Sequence, residues 1–305
     1  MTTRRHLLQA SSATAAALSV PCWAQAVLPV PLPTPVLLRA IPRSGEAIPA
    51  VGLGTWITFD LPVNDVDGLA RRRQVVEHFF AGGGRLVDSS PMYGRAEAVL
   101  GELLARPEPR LFSATKVWTG LPLYGPTQMR RSLALWRLGQ VDLMQVHNLL
   151  AWREHLATLR EWQAEGRIRY IGVTTSHGRA PDEVRHILQS GRIDVLQLTY
   201  SPADLSAEPL LALAAQRGVA VIVNRPFDGG ELLSRLAGRP LPPVARELQC
   251  GSWAAAVLKW TLANPAVTCA IPATTNPVHV AQNLSAMRGE LPDARQRAAL
   301  LSAMD

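Results

Sequence analysis

The chain is poor in the features that would tie it to a metal, a bilayer or a nucleic acid. Its three cysteines, Cys22, Cys250 and Cys269, lie far apart over 305 residues, with no metal-ligand spacing. No His/Asp/Glu cluster supplies such spacing either, so no metal is expected. Cys22 is expected to leave with a leader; Cys250 and Cys269 pair only if the fold brings them together, and the expectation is two unpaired buried thiols. Past the N-terminal region no apolar run is long enough to span a bilayer, so the mature protein is expected to have no membrane span. Aromatics make up only 6% and are not interleaved with basic residues along a stripe. The net charge of +7 comes from scattered arginines, the densest run being Arg71-Arg72-Arg73 at the start of a helical pattern. No nucleic-acid partner is expected, and a basic pocket for an anionic cofactor would use a few of these charges. A Gly-x-Gly-x-x-Gly fingerprint is missing from the first strand-helix unit, which argues against an open dinucleotide-binding sheet.

What is present begins with a leader. Residues 1–26 carry the pair Arg4-Arg5, a small, weakly apolar run from Ala10 to Val20, and the cleavage pattern Ala24-Gln25-Ala26. The paired arginines resemble a twin-arginine export signal, with an ordinary secretory leader as the alternative. The expectation is a periplasmic protein, cleaved near Ala26, with the twin-arginine machinery as a transient partner. A Pro-rich stretch, 27–35, reads as an extended spacer.

From residue 36 to 305 the hydrophobic content, 48% over the whole chain, is enough for one large core. Two short extended runs, 36–39 and 47–50, flank Pro42-Arg43-Ser44-Gly45, a hairpin signal. Eight candidate strands follow, at 52–55, 85–89, 111–116, 141–147, 170–174, 195–199, 220–224 and 269–272. They are rich in Val, Ile and Leu, as strands covered on both faces should be. Helical patterns occupy 71–81, 96–105, 128–138, 153–165, 181–190, 208–217, 252–263 and 277–287. Gly166, Gly191 and Gly218 each follow a helix and suit left-handed C-caps. Alternating units of this number predict a closed α/β barrel, a (β/α)8 TIM barrel.

Polar, titratable residues stand at the ends of successive strands. Asp88-Ser89-Ser90-Pro91-Met92-Tyr93-Gly94, Thr115-Lys116-Val117-Trp118 and Gln145-Val146-His147-Asn148 each close an apolar run, and Gly52-Leu53-Gly54-Thr55-Trp56 precedes them. Carbonyl reduction needs a hydride donor and a proton donor for the nascent alkoxide. A phenol near pKa 10 is a weak acid at neutral pH. A neighbouring ammonium lowers its pKa, and a carboxylate holds that ammonium in place. Tyr93, Lys116 and Asp88 supply these groups, and His147 can orient a carbonyl oxygen. Taken alone, His147 reads equally as a structural histidine.

In order and context these segments resemble the aldo-keto reductase family, over about residues 36 to 301. The resemblance implies a hairpin closing the barrel floor, Tyr93 as general acid/base, Lys116 and Asp88 as its tuning pair, and His147 as the orienting group. It places Trp56 and Trp118 on the substrate pocket, with Tyr124 and Trp152 as further candidates. Such aromatic walls favour apolar or aromatic carbonyl substrates. It also implies a nicotinamide cofactor, NADP(H) by default and NAD(H) as the contender. Thr174 and Thr175 stand where the family has a Ser-Asn pair, and Gln197 matches its carboxamide-binding Gln. Asn224 replaces a Tyr that would stack on the nicotinamide. Arg225, followed by Pro226, is a candidate pyrophosphate ligand, because a guanidinium suits bidentate phosphate contacts. Near the 2′-phosphate site Ala273 replaces a Lys and His279 an Arg, while Thr274, Asn276 and Asn283 remain, ahead of a helix N-terminus. A long C-terminal loop that narrows the pocket in many relatives is not expected, which leaves the site open.

The function expected is interconversion of a small-molecule carbonyl and alcohol by a monomer. The alternatives are a redox-sensing or scaffold barrel without turnover, and oxidation of a sugar leading to elimination.

Overall fold

Side chains that alternate inward along parallel strands build this structure from its floor to its rim. The computed structural model describes residues 35–104, 108 and 110–305. The expected leader, Cys22, Ala105 and all but the last residue of the Pro-rich stretch lie outside them.

The chain enters through β1 (Leu38–Ala40) and β2 (Ala47–Pro49), an antiparallel hairpin. Its turn places Gly45 at φ 72°, a conformation that a side chain resists, and Gly45 N donates to Ile41 O at 2.9 Å. Ile41 and Ile48 of the hairpin share one buried cluster with Leu86, Phe112, Leu143 and Val195 of the barrel interior. The hairpin is therefore the floor.

Eight parallel strands follow in sequence order: β3 (Leu53–Gly54), β4 (Leu86–Asp88), β5 (Phe112–Val117), β6 (Val141–Val146), β7 (Ile168–Thr174), β8 (Val195–Thr199), β9 (Ala220–Asn224) and β10 (Cys269–Ala270). The first and last meet through parallel bridges Val51–Ala270 and Gly54–Ala273, with Gly54 N donating to Pro272 O at 3.0 Å. This seam completes the (β/α)8 barrel. It is made of glycines for a physical reason: a Cβ on Gly54 would lie 2.7 Å from Ile271 O, and one on Gly52 2.8 Å from Leu86 O.

Five of the strands turn from apolar to polar as their inward set approaches the C-terminal rim. Leu86 is followed inward by Asp88, Ala114 by Lys116, Leu143 by Gln145, Val195 by Gln197 and Thr199, and Ile222 by Asn224. The lower members belong to the interior cluster, and the upper ones form the site. The outward set, including Val87, Val117, Met144, Val173, Leu196 and Val223, packs under the helices in the larger core. Period-2 alternation thus sorts the residues into core and chemistry.

The helices are α1 (Val66–Ala81), α2 (Ala96–Leu103), α3 (Gly125–Trp136), α4 (Trp152–Ala164), α5 (Pro181–Ser190), α6 (Glu208–Gln216), α7 (Glu231–Leu236), α8 (Pro243–Glu247), α9 (Trp253–Leu262), α10 (Pro277–Ser285) and α11 (Ala294–Met304). α1 begins five residues before the expected 71, because the Asp65 side chain caps it, accepting from Gly68 N at 2.8 Å. α7, α8 and α11 lie outside the predicted pattern. The first two are one or two turns long. α11 is closed by a capping box of Asp293 and Gln296, so the chain carries a further helix beyond the expected last one. Gly166, Gly191 and Gly218 have φ 73°, 65° and 64° and terminate helices as the sequence implied. Cys250 and Cys269 are free and buried. No helix among the described residues is long and apolar enough to cross a membrane.

Candidate active site

At the centre of the rim, Lys116 Nζ lies 2.5 Å from Asp88 Oδ1 and donates to Ser89 O at 2.8 Å. Both charged side chains are buried. The other carboxylate oxygen, Oδ2, accepts from Gln145 Nε2 and Gln197 Nε2, each at 3.0 Å. Gln197 Nε2 also lies 3.2 Å from Gln145 Oε1. Four adjacent or near-adjacent strands thus hold one carboxylate. Burial alone would lower the Lys116 pKa, yet the Asp88 charge, the Tyr93 phenol and their hydrogen bonds hold it above its ordinary value. The lysine remains an ammonium inside the barrel.

Tyr93 leaves the loop after β4 and places its ring 5.1 Å below Lys116 Nζ. Its pKa is raised: burial outweighs the lowering by Lys116, and the Asp88 charge adds to the rise. This corrects the expected net effect of the tuning pair. Lys116 acts in the direction expected, but in this enclosed site desolvation is larger. His147 meets the Tyr93 ring edge-on, centroids 5.7 Å apart at 86°. Burial first, then the Lys116 charge, pushes its pKa down to about 3, so its imidazole is neutral at ordinary pH. The turn that carries it is held in left-handed backbone at Asn148, Leu149 and Ala151, with φ 51°, 57° and 48°. Asn148 N donates to Thr174 Oγ1 at 3.0 Å, which fastens this turn to β7.

A cavity of 540 Å³ opens over this centre, and Asp88, Tyr93, His147 and Trp56 line it. Of the expected cofactor residues, Thr174, Gln197, Asn224, Arg225, Pro226, Thr274, His279 and Asn283 also line it. Asn224, at the stacking position, instead ties strand ends together. Its Oδ1 accepts from Thr199 Oγ1 at 2.7 Å and its Nδ2 donates to Thr175 O at 3.0 Å. Arg225 has φ 49° and reaches over the Trp56 ring, 5.5 Å to the centroid. Its Nε is buried without a partner. His279 has Thr274 Oγ1 and Asn276 Nδ2 each 3.4 Å from a ring nitrogen.

Lys116 sits behind Tyr93 and does not line the cavity, and five of the expected cofactor and substrate residues are not brought to it either. Thr175 turns its hydroxyl to Arg179 O at 2.8 Å. Asn276 caps α10, accepting from Val278 N at 3.0 Å. Trp152 is a packing residue: it is buried, its Nε1 donates to Glu183 Oε1 at 2.5 Å, and Arg153 stacks on its ring. Trp118 is pinned by Gln128, which bonds both its N and its O, and it stays 41% exposed. Tyr124, in a short turn before α3, is 45% exposed. The sequence reading missed Gln145 and Ser90, although both lie inside quoted motifs. Gln145 faces the same way as His147, two residues on, a period-2 signal that would have found it. Ser90 Oγ lies 2.9 Å from His147 Nδ1. His177 and Arg179, from the loop after β7, also line the cavity and were missed.

The sequence matches the aldo/keto reductase family over residues 50–298. It is 29% identical over 232 residues to the NADH-specific methylglyoxal reductase of Escherichia coli, covering 64% of this chain and 69% of that one. It is 29% identical over 263 residues to an aldo-keto reductase of a Mycobacterium species, covering 82% and 87%. Among solved structures, an aldo/keto reductase from Klebsiella pneumoniae in complex with NADP and acetate superposes with a TM-score of 0.72. Its sequence identity is 22%, over 88% of this chain and 96% of that one.

Proposed function

The chain belongs to the aldo/keto reductase family of oxidoreductases, and from that premise we propose that it interconverts an aldehyde or ketone with its alcohol, using a nicotinamide dinucleotide. The observation that carries this reading is the buried Asp88–Lys116 pair directly behind a tyrosine that lines the cavity.

The cofactor side fits an anionic dinucleotide. Arg225 lines the cavity, and a pyrophosphate there would pair with its guanidinium. Thr174, Gln197 and Asn224 line the cavity with hydroxyl and amide groups suited to a carboxamide, and Thr274, His279 and Asn283 border its far end. When bound, a dihydronicotinamide supplies the hydride. Neutral His147 donates a hydrogen bond to the carbonyl oxygen and orients it. Tyr93 keeps its proton until charge develops on that oxygen, and then transfers it, since an alkoxide is far more basic than a phenolate. Lys116, held by Asp88, stabilises the phenolate left behind, and a proton from solvent restores the phenol. Gln145 and Gln197 keep the Asp88 carboxylate aimed at the lysine. NADPH and NADH are both accommodated in this reading. The Klebsiella relative was solved with NADP and the E. coli relative is NADH-specific, while Ala273 and His279 remove two cationic contacts at the far end.

Tyr93→Phe is the test. It should abolish turnover of a carbonyl panel while dinucleotide binding, read by quenching of Trp fluorescence, survives. Retained turnover overturns the mechanism. Tight dinucleotide binding by the wild type with no turnover of any carbonyl, alcohol or sugar would favour a scaffold barrel instead.

We also propose export through the twin-arginine route, supported by Arg4-Arg5 and Ala24-Gln25-Ala26. Cell fractionation tests it: Arg4→Lys together with Arg5→Lys should trap the protein in the cytoplasm.

A further inference from the structure

A neutral imidazole carries a single N–H, and which nitrogen holds it decides whether His147 presents a donor or a lone pair to the cavity. The surroundings of Nδ1 settle the matter. Ser90 Oγ lies 2.9 Å from His147 Nδ1, and Ser90 is fully buried. The same oxygen already accepts from Met92 N at 3.2 Å. Among the described residues no other acceptor is within reach of the Ser90 hydroxyl.

Two proton arrangements are available. If Nδ1 carried the proton, Ser90 Oγ would accept twice, from Met92 N and from Nδ1. Its own hydroxyl proton would then be buried without an acceptor, which is costly. If Ser90 instead donates to Nδ1, each group has a complementary partner: Met92 N–H to Oγ, and Oγ–H to Nδ1. The proton of the ring then sits on Nε2. That atom makes no hydrogen bond to a described residue and is not among the buried unpartnered atoms, while the ring lines the cavity.

We propose that Ser90 is a positioning residue that fixes His147 as the Nε2–H tautomer and turns that N–H toward the reacting oxygen. The wrong tautomer would set a nitrogen lone pair against a carbonyl oxygen. The donation also fixes the rotation of the ring about its Cβ–Cγ bond, which the left-handed turn after His147 restrains only through the backbone. Ser90 acts through His147 and does not touch substrate. The inference rests on the carbonyl-reductase reading for its consequence in turnover, but the tautomer itself does not depend on that reading.

The experiment is 15N NMR of the full-length protein, grown with ring-labelled histidine, with and without NADPH. The chain has seven histidines, and the His147 signals are assigned as those lost in His147→Gln. At neutral pH the expected pattern is a bare Nδ1 and a protonated Nε2. A proton on Nδ1, or rapid averaging between the two, overturns the proposal. In Ser90→Ala the two tautomers should mix. There kcat should fall roughly tenfold, the scale of one hydrogen bond, with the NADPH Kd unchanged. Unchanged tautomer and kcat in that variant also overturn it. An Nε2–H histidine in a protein that turns over no carbonyl would retire the functional reading and leave the tautomer assignment standing. An Nδ1–H histidine in an active enzyme would do the reverse.

Discussion

Lys116 and Asp88 form an ion pair wholly inside the barrel, Nζ to Oδ1 2.5 Å, with two glutamine amides completing the shell of the carboxylate. The attraction between them offsets a large desolvation cost. Asp88→Asn should therefore destabilise the fold by about 3–5 kcal/mol, since it strands a buried ammonium. Adding Lys116→Met removes the stranded charge and replaces it with an apolar chain of similar length. The double variant should regain at least half of the lost stability in urea denaturation, while remaining inactive. A double variant no more stable than Asp88→Asn would mean that the pair contributes packing rather than mutual charge compensation.

The depressed pKa of His147 makes stability depend on pH. The group titrates near 6.5 in the unfolded chain and near 3 in the folded protein. Between those values the unfolded state binds more protons, so stability rises with pH. The contribution is complete above the unfolded value and is lost as pH falls toward the folded one. At pH 5 the loss attributable to His147 is about 2 kcal/mol relative to pH 7. Comparing the stability of wild type and His147→Gln at pH 7 and pH 5 isolates this part. The variant should show the smaller drop, and equal drops would place the acid sensitivity elsewhere.

The far end of the cavity predicts weak discrimination between the two dinucleotides. His279 lines it and Ala273 is exposed beside it, where the family places Arg and Lys. Ala273→Lys with His279→Arg should tighten NADPH binding by at least about tenfold, the scale of one charge-assisted hydrogen bond. NADH, which has no 2′-phosphate, should be unaffected. Fluorescence titration with both cofactors reads the result. Equal gains for both would place the new charges on the pyrophosphate.

Period 2 and period 3.6 made the barrel legible in the sequence, because they follow from burial. β8, β9 and α5 begin and end where the pattern put them. What escaped was set by other forces. α7 and α8 are too short to show a period, whereas α11 has a legible capping box, Asp293 with Gln296, that the reading passed over. In the site, the four residues of the catalytic proposal converge as their strand-end positions implied. The direction of the Tyr93 shift was not legible, because sequence shows its charged neighbours but not its burial. Trp118, Tyr124 and Trp152 were placed by their chain position after strands. Where a loop side chain points depends on local anchors such as Gln128 for Trp118 and Glu183 for Trp152, and no periodicity reports these.

The barrel seam gives the sharpest steric test. Gly54 sits where the first and last strands meet, and its N–H holds Pro272 O. A Cβ there would approach Ile271 O to 2.7 Å, and that atom is backbone, so no rotamer change relieves the clash. The seam must open locally, and overpacking of this kind costs about 1–3 kcal/mol or more. Gly54→Ala should sit at the upper end, with a fall in melting temperature of roughly 6–12 °C for a domain of this size. Because Thr55 and Trp56 leave this strand for the cavity, the same displacement should weaken dinucleotide binding. Gly251→Ala is the control, since a Cβ there meets nothing within 4 Å, and it should change stability by less than about 0.5 kcal/mol. If Gly54→Ala melts with the wild type, the strands at the seam are free to separate, and closure contributes little to holding the floor and the rim in register.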